Sequence, residues 1–122
     1  MSIESIVASI GTNMTLEAGS PLFKKGDPGD TMFFIKSGAV EIKNNDQLLE
    51  TCREGEMCGY MSVIDDKPRS ADAIVSEKVE VTVVQNKKFW FMMDEVPNFN
   101  KYILSTMAKR IRGMAKVVSS GG

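Results

Sequence analysis

The stretch FKKGDPGDTMFFIKSGAV, residues 23–40, decides how the rest of the chain is read. A polar loop with two glycines, Gly26 and Gly29, leads into the apolar run 32–36, and Gly38 interrupts the apolar texture again. Glycine at such positions supplies turn conformations that other residues resist, and the run between them reads as a buried strand. Working outward, the same texture holds across 14–17, 21–24, 32–36, 39–43, 47–53, 71–75 and 79–85. These are short runs of β-branched and aromatic residues separated by Gly, Pro, Asn and Asp, and Val79, Val81 and Val83 alternate with period two. Ser37-Gly38 and Asn44-Asn45-Asp46 read as tight hairpin connections. Many short strands at close spacing predict an antiparallel sandwich or barrel. No strand alternates with a long helix, which argues against a parallel α/β sheet.

Helical periodicity flanks this region on both sides. Ile3, Ile6, Val7 and Ile10 place one apolar face on a short helix over residues 2–10, with Gly11 to end it. After residue 87 a helix over 88–96 stops at Pro97, and Asn98 or Asn100 is placed to cap a second helix reaching about residue 118. Along that helix Leu104, Met107, Ile111, Met114 and Val118 follow the 3-4-3-4 spacing of a coiled-coil seam. Two readings stand for it: the stripe packs on the strands of its own chain, or it joins two copies in a homodimer. Residues 119–122 read as a flexible end. The organisation is one domain over 1–122, with an N-terminal helix in 1–12, a β-roll over 13–86 and the C-terminal helices over 87–118.

Composition narrows the chemistry. At 122 residues the chain is one domain by size and long enough to bury a core without a disulfide or metal staple. Its net charge of −1 gives no argument for a nucleic-acid or membrane partner. Five cations and no acids follow from residue 101 (Lys101, Lys109, Arg110, Arg112 and Lys116), a pattern whose ordinary meaning is a solvated helix face. Histidine is absent, which removes Ser-His and Cys-His nucleophile pairs and the histidine-ligated metals that a cupin-type enzyme needs. Cys52 and Cys58 lack metal-site spacing. With no signal peptide and no long apolar run, a cytoplasmic protein with reduced thiols is expected.

The segment REGEMCGYMSVIDDKPRSADA, residues 53–73, is the part with functional content. Glu54-Gly55-Glu56 and Asp65-Asp66-Lys67-Pro68 read as turns on either side of a short apolar segment that starts at Tyr60. If that segment is one helical turn, its first N–H groups are free, and Gly59 lets a ligand come close to them. Arg69, held after Pro68, adds a bidentate donor suited to phosphate.

The two segments together resemble the cyclic-nucleotide-binding domain family. Phe23 to Asp30 is similar to the family's F-x-x-G-[DE]-x-[GA]-[DE], and the strand after it to I-x-x-G-x-[VA]. Residues 55–73 are similar to the phosphate-binding cassette G-x-x-F-G-E-x-[AS]-…-P-R-[SAT]-A. The resemblance continues through Ser76-Glu77-x-Val79-Glu80-Val81 and Phe89…Pro97 to a terminal C-helix. It implies a mainly β fold, an antiparallel jelly roll (double-stranded β-helix) with an N-terminal helix and a C-terminal helix pair. It also implies that Arg69 binds the cyclic phosphate, with Ser70 nearby and the amides around Gly59, Tyr60, Met61 and Ser62 capping it.

Two departures qualify the match. The family's cassette glutamate, which accepts from the ribose 2′-OH, falls at Tyr60. Losing one charge-assisted hydrogen bond costs about 1.5–3 kcal/mol, roughly ten- to a hundredfold in affinity. Tyr60 either offers its own hydroxyl or turns inward into volume left by Cys58, which replaces the family's aromatic. The C-helix carries Met114 and Ala115 where bacterial transcription regulators of the family place Thr-Ser against the purine. No helix-turn-helix follows that helix, so direct DNA binding is not expected. The resulting expectation is a non-catalytic regulatory or sensor module, free of metal or other cofactor. It binds cAMP or cGMP and signals through its C-terminal helix, in some cases to a protein effector. The alternative is a degenerate domain that keeps the fold as a dimerisation or protein-interaction scaffold.

Overall fold

The computed structural model describes residues 3–121, with side chains through residue 113. In chain order the elements are α1 (Ile3–Ile10), β1 (Thr12–Leu16), β2 (Pro21–Phe23), β3 (Thr31–Asn44), β4 (Gln47–Arg53), β5 (Met57–Cys58), α2 (Tyr60–Asp65), β6 (Asp72–Gln85), α3 (Asn86–Glu95) and α4 (Phe99–Gly121). By its contacts the chain divides into two compact units, Met1–Phe89 and Trp90–Gly122.

In the first unit all six strands join one antiparallel sheet of order β1-β6-β3-β4, with β2 also on β6 and β5 also on β3. Its spine is the β3–β6 pair, each strand 14 residues long. Met32, Phe33, Phe34 and Ile35 are all buried to 5% exposure or less. Four consecutive buried residues mean that this half of β3 is covered on both faces, so it reads as an unbroken apolar run. The core gathers Phe33, Ile35, Val40, Cys52, Cys58, Ala73, Val75, Val79 and Val81, with Leu16, Leu22 and Phe23 packed at its margin. The apolar face of α1 is as its spacing predicts, with Val7 fully buried, and Gly11 N–H donates to the Val7 carbonyl at its end.

Asn45 and Asp46 turn β3 into β4, both with positive φ (51° and 67°). That backbone twist suits a two-residue hairpin, and Asn and Asp tolerate it. Ser37-Gly38 is a different case and corrects the hairpin expected there. Residues 32–36 and 39–43 belong to one strand, β3, and 72–75 and 79–85 merge likewise into β6, with Ala71 just ahead of it. The register slips between Ile35 and Ser37 and again around Ala39. Gly38, with φ of +87°, therefore bends the strand pair instead of reversing it. A Cβ at Gly38 would lie 2.1 Å from the carbonyl oxygen of Lys78 on the facing strand. Sequence spacing could not separate a bend from a reversal, because both need a residue with positive φ.

In the second unit, α3 ends just before Pro97 and α4 starts after Asn98, whose φ is +69° and whose carbonyl accepts from the Tyr102 N–H. Met92, Phe99 and Ile103 are buried, whereas Leu104 and Ile111 are 62% and 64% exposed and Met107 is half-buried. The buried stripe of α4 thus starts at Phe99 and Ile103, one position away from the seam read from the sequence. The side chains of Met114 and Val118 lie outside the described residues. The α4 backbone continues to Gly121, past residue 118, where the pattern predicted a helix end.

Two predictions follow from this packing. Gly38→Ala combines left-handed backbone strain with a clash against main chain, so it should lower folding stability by about 3 kcal/mol, read as a shifted urea midpoint at constant slope. A loss well under 1 kcal/mol would show that the bend does not need glycine. Cys52 is buried beside Cys58, and the hydrogen bond with Cys58, burial and nearby Glu50 hold its thiol well above the usual range. The folded chain therefore keeps this proton where an unfolded thiol, with a pKa of about 8.5, has lost it. Stability should fall as pH rises above that value, by up to about 1.4 kcal/mol per pH unit from this group. The slope measured for wild type minus Cys52→Ala isolates the effect, and equal slopes would refute it.

Candidate functional site

Arg69 is the organising residue. Its main chain is pinned by the glycine loop: Gly26 N–H donates to the Arg69 carbonyl and Arg69 N–H donates to the Asp27 carbonyl, both at 2.9 Å. The loop itself is held by Asp27, whose carboxylate accepts from the Lys24 N–H (2.9 Å), and by Asp72, which accepts from the Lys25 N–H (2.8 Å). The signature loop 23–30 and the cassette segment 53–73, separate in sequence, therefore form one local structure. Pro68 is exposed, and the loop, more than the proline, sets the course of Arg69.

Arg69 is only 4% exposed as a residue. Nη1 donates to the Gly59 carbonyl (2.6 Å), and Nη2 donates to the Thr31 carbonyl (2.6 Å) and meets the Thr31 hydroxyl at 3.2 Å. Cζ lies 4.2 Å from the ring centroid of Phe23 and 5.8 Å from that of Phe33, and the two rings stack at 6.0 Å. Nε is buried and has no hydrogen-bond partner, and among the described residues no carboxylate forms an ion pair with this side chain. Burial lowers its pKa, offset in part by the fields of Cys58, Asp30 and Asp27. Arginine stays protonated throughout the working pH range all the same. A buried cation without a counter-charge and with an orphan donor is an energetically incomplete arrangement, and an anion completes it.

The other residues marked in the sequence take distinct places. Gly59 precedes α2 with φ of +80°, and a Cβ there would come within 2.8 Å of Arg69 Nη1. The glycine lets the guanidinium lie against the backbone. Tyr60 is fully buried. Of the two readings open for it, the inward one is what the structure has: its side chain fills the core, and only its main chain remains for a ligand. Met61 is 46% exposed, Ser62 is half-buried in the first turn of α2, and Ser70 is exposed. Gly59 and Arg69 are thus in direct contact. Thr31 and the Phe23 ring were not singled out by sequence. Thr31 acts mainly through its carbonyl, which no side-chain pattern advertises. Phe23 was legible as part of a motif but not as the partner of Arg69.

Among the described residues no group of three or more His, Cys, Asp or Glu is placed to hold a metal ion. No described helix is long and apolar enough to cross a membrane.

Comparison with known proteins bears on the fold and the family. The Pycsar effector protein XpPycTIR of Xanthomonas perforans is 29% identical over 109 residues, covering 88% of this chain and 36% of that protein. The cyclic AMP receptor protein of Thermus thermophilus is 26% identical over 99 residues, covering 77% of this chain and 46% of the receptor. The chain thus spans between a third and a half of the length of these curated relatives. The crystal structure of the Thermus thermophilus catabolite activator protein shares the fold with a TM-score of 0.83 at 22% identity, over 98% of this chain and 59% of that one. The six-stranded antiparallel sheet with flanking helices is the jelly roll of that neighbour. The sequence profile of the cyclic nucleotide-binding domain matches residues 13–96, well over half of the chain and all of the sheet except Thr12. This chain belongs to the cyclic nucleotide-binding domain family.

Proposed function

We propose that the chain is a regulatory module that binds a cyclic nucleotide such as cAMP or cGMP through the cyclic phosphate. The observation that carries this reading is the buried guanidinium of Arg69, which has an unpartnered Nε and no carboxylate paired with it. A cyclic phosphate brings one negative charge and two exocyclic oxygens, which is what that donor set lacks. Membership of the family and the name of the Thermus thermophilus cyclic AMP receptor protein support the ligand class. The amides of Met61 and Ser62, in the first turn of α2, and the hydroxyl of Ser70 are the further donors. Because Arg69 is only 4% exposed, binding on this reading includes a local shift of the cassette around α2. Transmission runs through the C-terminal helices, whose populations shift by no more than the ligand's preference for one state over the other. The hinge of that movement is proposed near residues 87–96, the segment that α3 occupies.

Titration calorimetry with cAMP and with cGMP tests the reading. Saturable heat is expected for at least one of them, with Arg69→Ala weakening it at least about a hundredfold, as expected from losing two or more charge-assisted bonds. No heat and no competition at about millimolar nucleotide would overturn it.

A second reading, a dimerisation or interaction scaffold, is favoured by the exposed Leu104 and Ile111 on α4. In the heptad that these two residues define with Met107, Ala108 and Arg110 flank the seam and Lys109 falls at the outermost position. On this reading Ile111→Glu converts a dimer to a monomer in size-exclusion chromatography with light scattering, whereas Arg69→Ala leaves the mass unchanged. A wild-type chain that runs as a monomer at high concentration would dismiss the homodimer.

A further inference from the structure

We infer that Phe23 is the positioning residue for Arg69: its ring fixes the plane of the guanidinium from below while the Gly59 and Thr31 carbonyls fix its edge. The inference rests on the phosphate reading of Arg69 and adds a residue to it. Arg69 Cζ lies 4.2 Å over the Phe23 centroid, the close end of the range for a cation over a ring face. Phe33 lies beside the pair, its centroid 6.0 Å from the Phe23 ring and 5.8 Å from Arg69 Cζ. A Cβ built on Gly59 would meet Phe23 Cε2 at 3.3 Å as well as Arg69. Ring, guanidinium and the glycine backbone are therefore closely packed against one another. Nη1 and Nη2 are held by backbone carbonyls on two different elements, at Gly59 and Thr31.

This arrangement answers a physical problem. A buried guanidinium that no carboxylate pairs with has no counter-charge from its own chain, and it carries about as much side-chain entropy as any residue. A carboxylate would hold it but would also compete with the ligand. An aromatic face stabilises the cation electrostatically without taking any of its N–H donors. The two carbonyls then stop rotation in the plane of the ring. Phe23 thus keeps Arg69 charged, flat and unneutralised. A second role, filling core volume, is open to any apolar side chain at this margin of the core, and that difference makes the inference testable.

The variants are Phe23→Leu, which keeps apolar burial and removes the ring face, and Phe23→Tyr, which keeps the face. Nucleotide affinity of the whole chain is measured by calorimetry with cAMP and cGMP. In parallel, ¹⁵N-edited NMR follows the Arg69 Nε–Hε resonance in the ligand-free protein. Phe23→Leu should weaken binding about tenfold, the range for a desolvated cation over a ring, and Phe23→Tyr should restore it to within about twofold. The Arg69 Nε–Hε signal should be ring-current shifted in wild type and Phe23→Tyr and return toward the ordinary arginine position in Phe23→Leu. Equal binding by wild type and Phe23→Leu overturns the inference, as does equal impairment of the Leu and Tyr variants. If wild type binds neither nucleotide, the phosphate reading fails, and the NMR signal alone decides the role of Phe23. An unshifted resonance in wild type, or an unchanged one in Phe23→Leu, then overturns it.

Discussion

The constraint on which the site depends is the burial of one positive charge. Removing a guanidinium from water costs several kcal/mol after relaxation, and proteins ordinarily recover that cost with a carboxylate. Here Arg69 sits at 4% exposure and is held by two carbonyls, a hydroxyl and an aromatic face. Those contacts stabilise the cation without neutralising it. Asp27 and Asp30 lie near enough to act on it through their fields, yet the Asp27 carboxylate is occupied by the Lys24 N–H of its own loop. The fold thus keeps the Asp27 charge on the backbone of the loop, and among the described residues no carboxylate pairs with the guanidinium.

Much of the sheet is arranged around that requirement. The glycine loop pairs with the Arg69 main chain, β2 brings Phe23 beneath it, the start of β3 brings the Thr31 carbonyl, and the turn after β5 brings Gly59. Two stretches, residues 23–31 and the turn at Gly59, meet at the Arg69 side chain, and they contribute backbone, a hydroxyl and aromatic surface instead of charge. The long β3–β6 pair makes this possible by bending at Gly38, where the chain passes within van der Waals reach of the facing strand. A straight pair of 14-residue strands would be about 46 Å long. The bend folds that length back on itself and gives the strands a common interior.

How far this was legible in the sequence follows the kind of information each feature carries. The Asn45-Asp46 hairpin was readable because its residues are the ones a positive-φ pair prefers. The Ser37-Gly38 bend was misread as a reversal because glycine marks a positive φ and leaves the direction of the next strand open. β5, two residues long, has no periodicity to detect. On α4 the seam and the buried stripe are neighbouring faces of the same helix, and with apolar residues at 103, 104, 107 and 111 spacing could not rank them. Tertiary burial does: Ile103 is inside and Leu104 is not. At the site, Arg69 and Gly59 were legible through chemistry and resemblance. Thr31 was not, because a carbonyl contact belongs to the fold and leaves no mark on residue type.

Tyr60 shows how the two halves of the site differ. A carboxylate at this place would need water or a hydrogen-bonding partner, because a buried charge is costly. The chain has instead a large side chain buried completely in the core, next to Gly59 and the buried Cys58. On the proposed reading, the segment that would hold the ribose therefore contributes volume, and the charge complementarity of the site is concentrated on the phosphate. Recognition built that way depends on how rigidly one guanidinium is presented, because no second charged contact corrects a misplaced first one. A tightly stacked and doubly anchored Arg69 is the arrangement such a site requires. On that reading the inward Tyr60 and the Phe23–Arg69 contact work together: volume replaces charge at the ribose side, and preorganisation holds in place the one charge at the phosphate side.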